Sequence, residues 1–212
     1  MQSSSDVSSY YRPMGLSTQG GDEATGRPLR DVYSVSLGVA LVLAVEQIVD
    51  LERSGVSIRL VAALPFLAFI ATAFSLYHWA VRFVDLSYSG EERRRPGAIV
   101  TSLFVGSTEL IILIALSILI SRPAVFLAGL VVVFAFEVVA GLALRATDAY
   151  VAAGDFARKY LLINGLALVC AALGMLVVSL GDADPVVAGA VALLASWGRA
   201  VAFYRVGFRL LF

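Results

Sequence analysis

The chain has little of what most chemistry needs. In 212 residues there is one cysteine, one histidine and a single lysine, Lys159, against fifteen arginines. A lone cysteine, Cys170, cannot close an intrachain disulfide, and its place inside an apolar run gives it a packing role. One histidine and one cysteine also exclude a standard zinc site. No glycine-rich phosphate loop followed by Lys and Ser or Thr is present, nor a dinucleotide fingerprint. A Gly-x-Ser-x-Gly elbow and a carbonyl-lined potassium filter are absent too. Arg199, Arg205 and Arg209 do not recur every third residue as in a voltage sensor. Charge is scarce at 15%, against about 25% in soluble domains. It sums to zero, so no basic field awaits a nucleic acid. The expectation is a protein with no catalytic centre, no cofactor and no bound metal.

What the chain has instead is long apolar runs. Its residues are 59% hydrophobic, against about 45–50% for a soluble domain. The excess gathers into segments close to the roughly 20 residues that a bilayer requires. The spans run from about Val32 to Leu51, Ile58 to Phe83, Ala98 to Ile120, Ala124 to Leu144, Leu161 to Leu180, and Val186 towards the C-terminus. Residues 1–30 are rich in Ser, Gly and Gln and lack the layout of a signal peptide, so they read as a disordered cytoplasmic tail. Residues 31–212 form the membrane domain. Ser121-Arg122-Pro123 and Gly181–Pro185 are tight turns, with Pro185 opening the last helix, and Arg145–Lys159 is a polar connector.

Basic residues set the orientation. The tail, the second and fourth connectors and the C-terminal end hold 13 of the 16 Lys and Arg, whereas Arg53, Arg59 and Arg122 fall on the other side. Positive residues stay inside, which puts both termini in the cytoplasm, and six spans satisfy that parity. The expected fold is all-α, a polytopic integral membrane protein with six transmembrane helices, N-in and C-in. The arginine bias is that of a GC-rich bacterial genome, and the cell (inner) membrane is the expected location.

Two helix faces stand out. Thr72, Ser75, His78, Arg82 and Asp85 form one polar stripe at helical spacing, opposite an apolar face. Ala188, Ala192, Ser196 and Ala200 recur every four residues, a small-residue stripe that lets another helix approach closely. Packing within the subunit is the first use of such a stripe, and homo-oligomerisation the second.

Polar groups inside a bilayer are costly, so each needs a partner or a task. Counting 1.5 Å per residue from the nearest cytoplasmic flank puts Glu137 about 12 Å deep, Arg199 about 9 Å, Asn164 about 7 Å and His78 about 6 Å. These four form a cytoplasmic vestibule or a register-fixing set with Glu137–Arg199 as its ion pair. Glu109 counts to the midplane, with no basic residue at its depth. Unpartnered midplane carboxylates are typical of proton and cation paths. Glu46 and Asp50 lie in the outer half, where an acidic mouth favours cations. Two functions compete. One is a small channel or transporter with a cation or proton path through Glu109, Glu46 and Asp50. The other is a sensor, effector or anchor subunit whose cytosolic partner docks on Arg93, Arg94, Arg95 and the C-terminal helix. The lipid bilayer is a partner in both.

Overall fold

A computed structural model describes the backbone of residues 23–53, 60–88, 96–144, 148–181 and 184–208, and the side chains of 30–49, 61–81, 103–143, 157–181 and 184–206. The described residues form six helices, α1 (Glu23–Arg53), α2 (Leu60–Tyr88), α3 (Pro96–Ser117), α4 (Pro123–Leu144), α5 (Asp148–Leu180) and α6 (Pro185–Phe208), and no strand. Five carry apolar segments long enough to cross a membrane: Arg30–Val49, Val61–Val81, Pro123–Ala143, Ala157–Leu180 and Pro185–Val206. In α3 the apolar segment with described side chains is Leu103–Ser117.

Two helices reach further than the apolar runs alone suggest. α1 begins at Glu23, so residues 23–30 of the polar N-terminal region are helical rather than tail. α5 begins at Asp148, which turns most of the expected 145–159 connector into helix. Its Asp148-Ala-Tyr-Val-Ala-Ala start sets an acidic residue in the first turn, where the helix dipole favours it, followed by strong helix formers. The turns follow their local chemistry. Asp184 Oδ1 caps α6 by accepting from Val186 N at 2.8 Å, with Pro185 in the first turn. Between α3 and α4, Arg122 N donates to Leu119 O at 2.9 Å and Phe126 N to Arg122 O at 2.8 Å.

Contacts between helices fix their directions. Thr72 meets Ser196 and Ser75 meets Arg199, each pair 124 residues apart, so α2 and α6 run parallel in register. Further along, Leu64 and Pro65 of α2 abut Gly189 of α6. Tyr33 meets Glu109 and Gln47 meets Ser121 at offsets of 76 and 74, which makes α1 and α3 parallel as well. α5 and α6 are antiparallel, since Asn164 faces Arg199 while Gly174 faces Val191. Among the described residues, the α2–α6 interface is the most extensive, and α1 packs against α2 and α3 only. The small-residue stripe faces inward: Ala188, Ala192 and Ser196 are fully buried, Ala200 nearly so, and Ser196 accepts from Thr72 of α2 at 3.0 Å.

The surface is the apolar part. Val32, Val35, Val39, Val42 and Val45 make an exposed row on α1, and Leu162, Leu166, Val169, Leu173 and Leu176 make another on α5. Cys170 lies exposed in the α5 row, so it does not pack in the interior as its apolar surroundings suggested. Thr72, Ser75, Glu109, Glu137, Asn164, Ser196 and Arg199 are all buried. Large aliphatic groups outside and polar groups inside is the distribution that lipid, not water, favours.

Close approach in this bundle depends on Gly174, where an added Cβ would lie 2.1 Å from Val191 Cγ1. A valine on a helix has one strongly preferred rotamer and cannot swing aside. Gly174→Ala is therefore expected to destabilise the protein by about 1–3 kcal/mol through overpacking. Gly165→Ala, with nothing within 4 Å of the new Cβ, is expected to stabilise it by about 1 kcal/mol through helix propensity. Unfolding of the two variants in one detergent measures the contrast.

Candidate functional site: a buried polar layer

At one level of the bundle, side chains from all six helices meet in a single hydrogen-bonded layer. Its centre is Arg199 of α6, only 3% exposed. The guanidinium donates from Nε to Asn164 Oδ1 at 2.6 Å, from Nη1 to Ser75 Oγ, and from Nη2 to the Tyr160 hydroxyl at 3.2 Å. Its Cζ lies 5.4 Å from the Phe134 ring centre and 5.8 Å from that of Tyr160, within cation–π range. Asn164 is fixed in turn, its Nδ2 donating to Tyr160 O at 3.0 Å. Ser75 Oγ lies within reach of two carbonyls of its own helix, Ala71 O at 2.8 Å and Thr72 O at 3.0 Å.

From Arg199 the layer runs on to two acids. The Tyr160 hydroxyl donates to Glu137 Oε2 while it accepts from Arg199. Glu137 and Arg199 therefore communicate through Tyr160, where the sequence suggested a direct pair. Glu109 and Glu137 are both buried and close enough for their carboxyls to interact electrostatically, and Tyr33 of α1 donates to Glu109 Oε2 at 3.2 Å. Glu137 Oε1 receives no N–H, hydroxyl or amide donor. A carboxyl–carboxyl hydrogen bond needs a proton on one partner, so two neighbouring acids can form one only when the pair holds a proton.

Tyr33 reaches Glu109 because α3 carries no side chain in the way. A Cβ on Gly106, one turn before Glu109, would sit 2.1 Å from the Tyr33 oxygen. The same contact corrects the depth of Glu109. Counted from Ala98 it reaches the midplane, yet it sits level with Tyr33, which is three residues inside the Arg30 end of the first apolar segment.

Both sides of the layer are closed. Towards the helix ends nearest the N-terminus, the Trp79 and Tyr160 rings stack at 3.9 Å, and Phe203 meets Tyr160 edge-on at 5.7 Å. Trp79, Ala157, Tyr160 and Phe203 form a buried aromatic cap. Towards the other end lies a dry core that includes Phe69, Leu116, Ile120, Phe126, Leu130 and Phe134.

The remaining sequence-predicted residues lie elsewhere. His78 is exposed, with Nδ1 2.8 Å from Phe74 O and 2.8 Å from the Tyr204 hydroxyl, apart from the Arg199 network. Thr72 and Ser75 of the same stripe turn inward to α6, while the side chains of Arg82 and Asp85 lie outside the described residues. Glu46 is exposed, thirteen residues and thus about 20 Å along α1 from Tyr33. Its neighbour Gln47 accepts from Ser121 Oγ at 3.1 Å. The side chain of Asp50, and Arg93, Arg94 and Arg95 altogether, lie outside the described residues. Sequence reasoning overlooked Tyr33 and Tyr160. The available signals were Tyr160 and Asn164 four residues apart on one face, and Gly106 one turn ahead of Glu109.

Among the described residues no cluster of His, Cys, Asp and Glu suits a metal ion. Comparison with known protein families, curated proteins and solved structures yields no match.

The layer predicts strong coupling. Arg199→Ala leaves Glu137 facing no buried cation and is expected to cost about 3–5 kcal/mol. Adding Glu137→Ala to that variant should cost far less than it does in the wild type, a non-additivity measured by a double-mutant cycle in detergent. Tyr160→Phe removes the bridging hydroxyl and should itself cost about 1–3 kcal/mol.

Proposed function

We propose that the chain crosses the cell (inner) membrane six times with both termini in the cytoplasm, and that it carries protons or small cations through a gated site at Glu109 and Glu137. The observation that carries this is the buried carboxyl pair served by one guanidinium. Two carboxyls and one guanidinium form a neutral set when the pair holds one proton, and each exchange of that proton changes the charge of the layer. A buried uncompensated charge is expensive, so proton exchange couples to a change in the surrounding packing. The aromatic cap and the dry core close the site on its two sides, as an occluded intermediate of alternating access requires. Glu46 and Asp50 mark the outer mouth in this scheme, and no catalytic step is involved.

Inhibition of access from the α1 side falls to Tyr33, whose hydroxyl donates to Glu109 across the α1–α3 seam. The fully closed dry half favours one second function, a membrane-embedded sensor or anchor subunit. Its layer would fix helix register, and its cytosolic partner would dock at Arg93, Arg94 and Arg95.

Flux through purified protein in liposomes separates the two. With a pH dye inside and a proton or cation gradient imposed, Glu109→Gln and Glu137→Gln should reduce flux to the level of empty vesicles. Glu46→Gln, altering an exposed mouth residue, should retain most of it. Equal flux in wild type and Glu109→Gln would remove the carboxyl pair from the path. No wild-type flux under any gradient would leave the sensor or anchor function.

A further inference from the structure

Two apolar grooves of about 520 and 830 Å³ lie on the outer face of α5 and α6 and share Ile163, Leu194, Gly198 and Ala202. They form one trough. Its floor is low because Gly198 has nothing within 4 Å of where a Cβ would be, and its walls include Leu166, Leu173 and Leu194. From Arg205 to Val191 the trough follows fourteen residues of α6, about 21 Å, which exceeds the roughly 15 Å of one leaflet's hydrocarbon.

Its charge is one-sided. The charged residues lining it are Arg199 and Arg205, both towards one end. Arg199 is buried and engaged with Asn164, Ser75 and Tyr160, whereas Arg205 is exposed at the rim beside Trp197. An apolar channel more than one leaflet long, ending in a cation near the helix end, complements an acidic amphiphile. A second copy of the chain fits worse. A two-fold axis along the helices would set Arg205 opposite its own counterpart, like charge against like.

We infer that the trough holds one anionic phospholipid, an acyl chain lying over Gly198 between α5 and α6 and the phosphate at Arg205. Through the floor the chain touches the segment of α6 that bears Arg199, so lipid occupancy bears on the helix at the centre of the polar layer. The inference is independent of whether ions pass through that layer.

Native mass spectrometry of the full chain, released from nanodiscs of equal phosphatidylglycerol and phosphatidylcholine, tests it. The wild type should keep one phosphatidylglycerol, preferred about fivefold over phosphatidylcholine, the contribution of one arginine at a membrane surface. Arg205→Gln should retain a lipid while losing the preference. Gly198→Leu, which fills the trough where no protein atom stands, should lose the bound lipid. Arg205→Gln changes an exposed side chain and keeps the test decisive if Gly198→Leu fails to fold. Equal retention of both lipids by the wild type would overturn the inference. So would a two-copy species that Gly198→Leu dissociates, because it would give the trough to a second chain.

Discussion

The structure depends on how one guanidinium is satisfied. Arg199 sits where water cannot solvate it, and an unpaired charge there would cost more than a helical bundle can recover. Its planar fork sends donors in three directions at once, to α2 through Ser75 and to α5 through Asn164 and Tyr160, while its face lies towards Phe134 of α4. A lysine would offer a single mobile point charge; arginine fixes the relative rotation of its neighbours. Tyr160 then extends the constraint to Glu137, and on the far side of the layer Tyr33 of α1 holds Glu109, buried near Glu137. Rotation and axial shift of every helix are tied to one layer. Lipid supplies little hydrophobic force to set either, so polar contacts and close packing have to do it.

Small residues make that layer reachable. α6 presents Ala188, Ala192 and Ser196 to α2, and the resulting approach lets Thr72 bond Ser196 and Ser75 reach Arg199 at the same sequence offset. Gly106 does the same for α1, since any side chain there would displace the Tyr33 ring that reaches Glu109. Packing and polar chemistry are thus not alternatives at these stripes. The small side chain is what brings the polar one within bonding distance.

Apolar run lengths made the helices legible in the sequence, and depth counting brought Glu137, Asn164 and Arg199 to one level. It worked there because Arg145, Lys159 and Arg205 stand near the ends of the apolar segments. It set Glu109 deeper than does its bond to Tyr33, which lies three residues inside the Arg30 end of the first apolar segment. Depth also says nothing of azimuth. Ser75 and His78 are three residues apart, about 60° around a helix, yet one bonds Arg199 inside and the other is exposed. Tyr33 and Tyr160 escaped notice because a tyrosine near a helix end reads first as an interfacial anchor. Only the neighbouring helix reveals that its hydroxyl points inward.

The two closures of the layer are unequal, and this bears on how the site would open. The dry core draws residues from all six helices, so parting it means unpacking most of the bundle. Among the described residues, the cap rests on four buried residues from α2, α5 and α6, with Val105, Tyr204 and Val206 packed against them. Lateral to both is α1, which among the described residues packs against α2 and α3 alone and shows a row of valines to the outside. An opening at α1, as the proposed transport would need, would leave the α2–α6 and α4–α5 interfaces whole while withdrawing Leu37, Ala40 and Ala44 from the core. Its one polar contact with the acids is the Tyr33–Glu109 hydrogen bond, seated on Gly106. In the proposed transport, breaking that bond would open Glu109 towards α1 while the bonds from Arg199 to Asn164 and Ser75 remain. The guanidinium is thus held from α2 and α5, and Glu109 is reached from α1, on the other side of the layer.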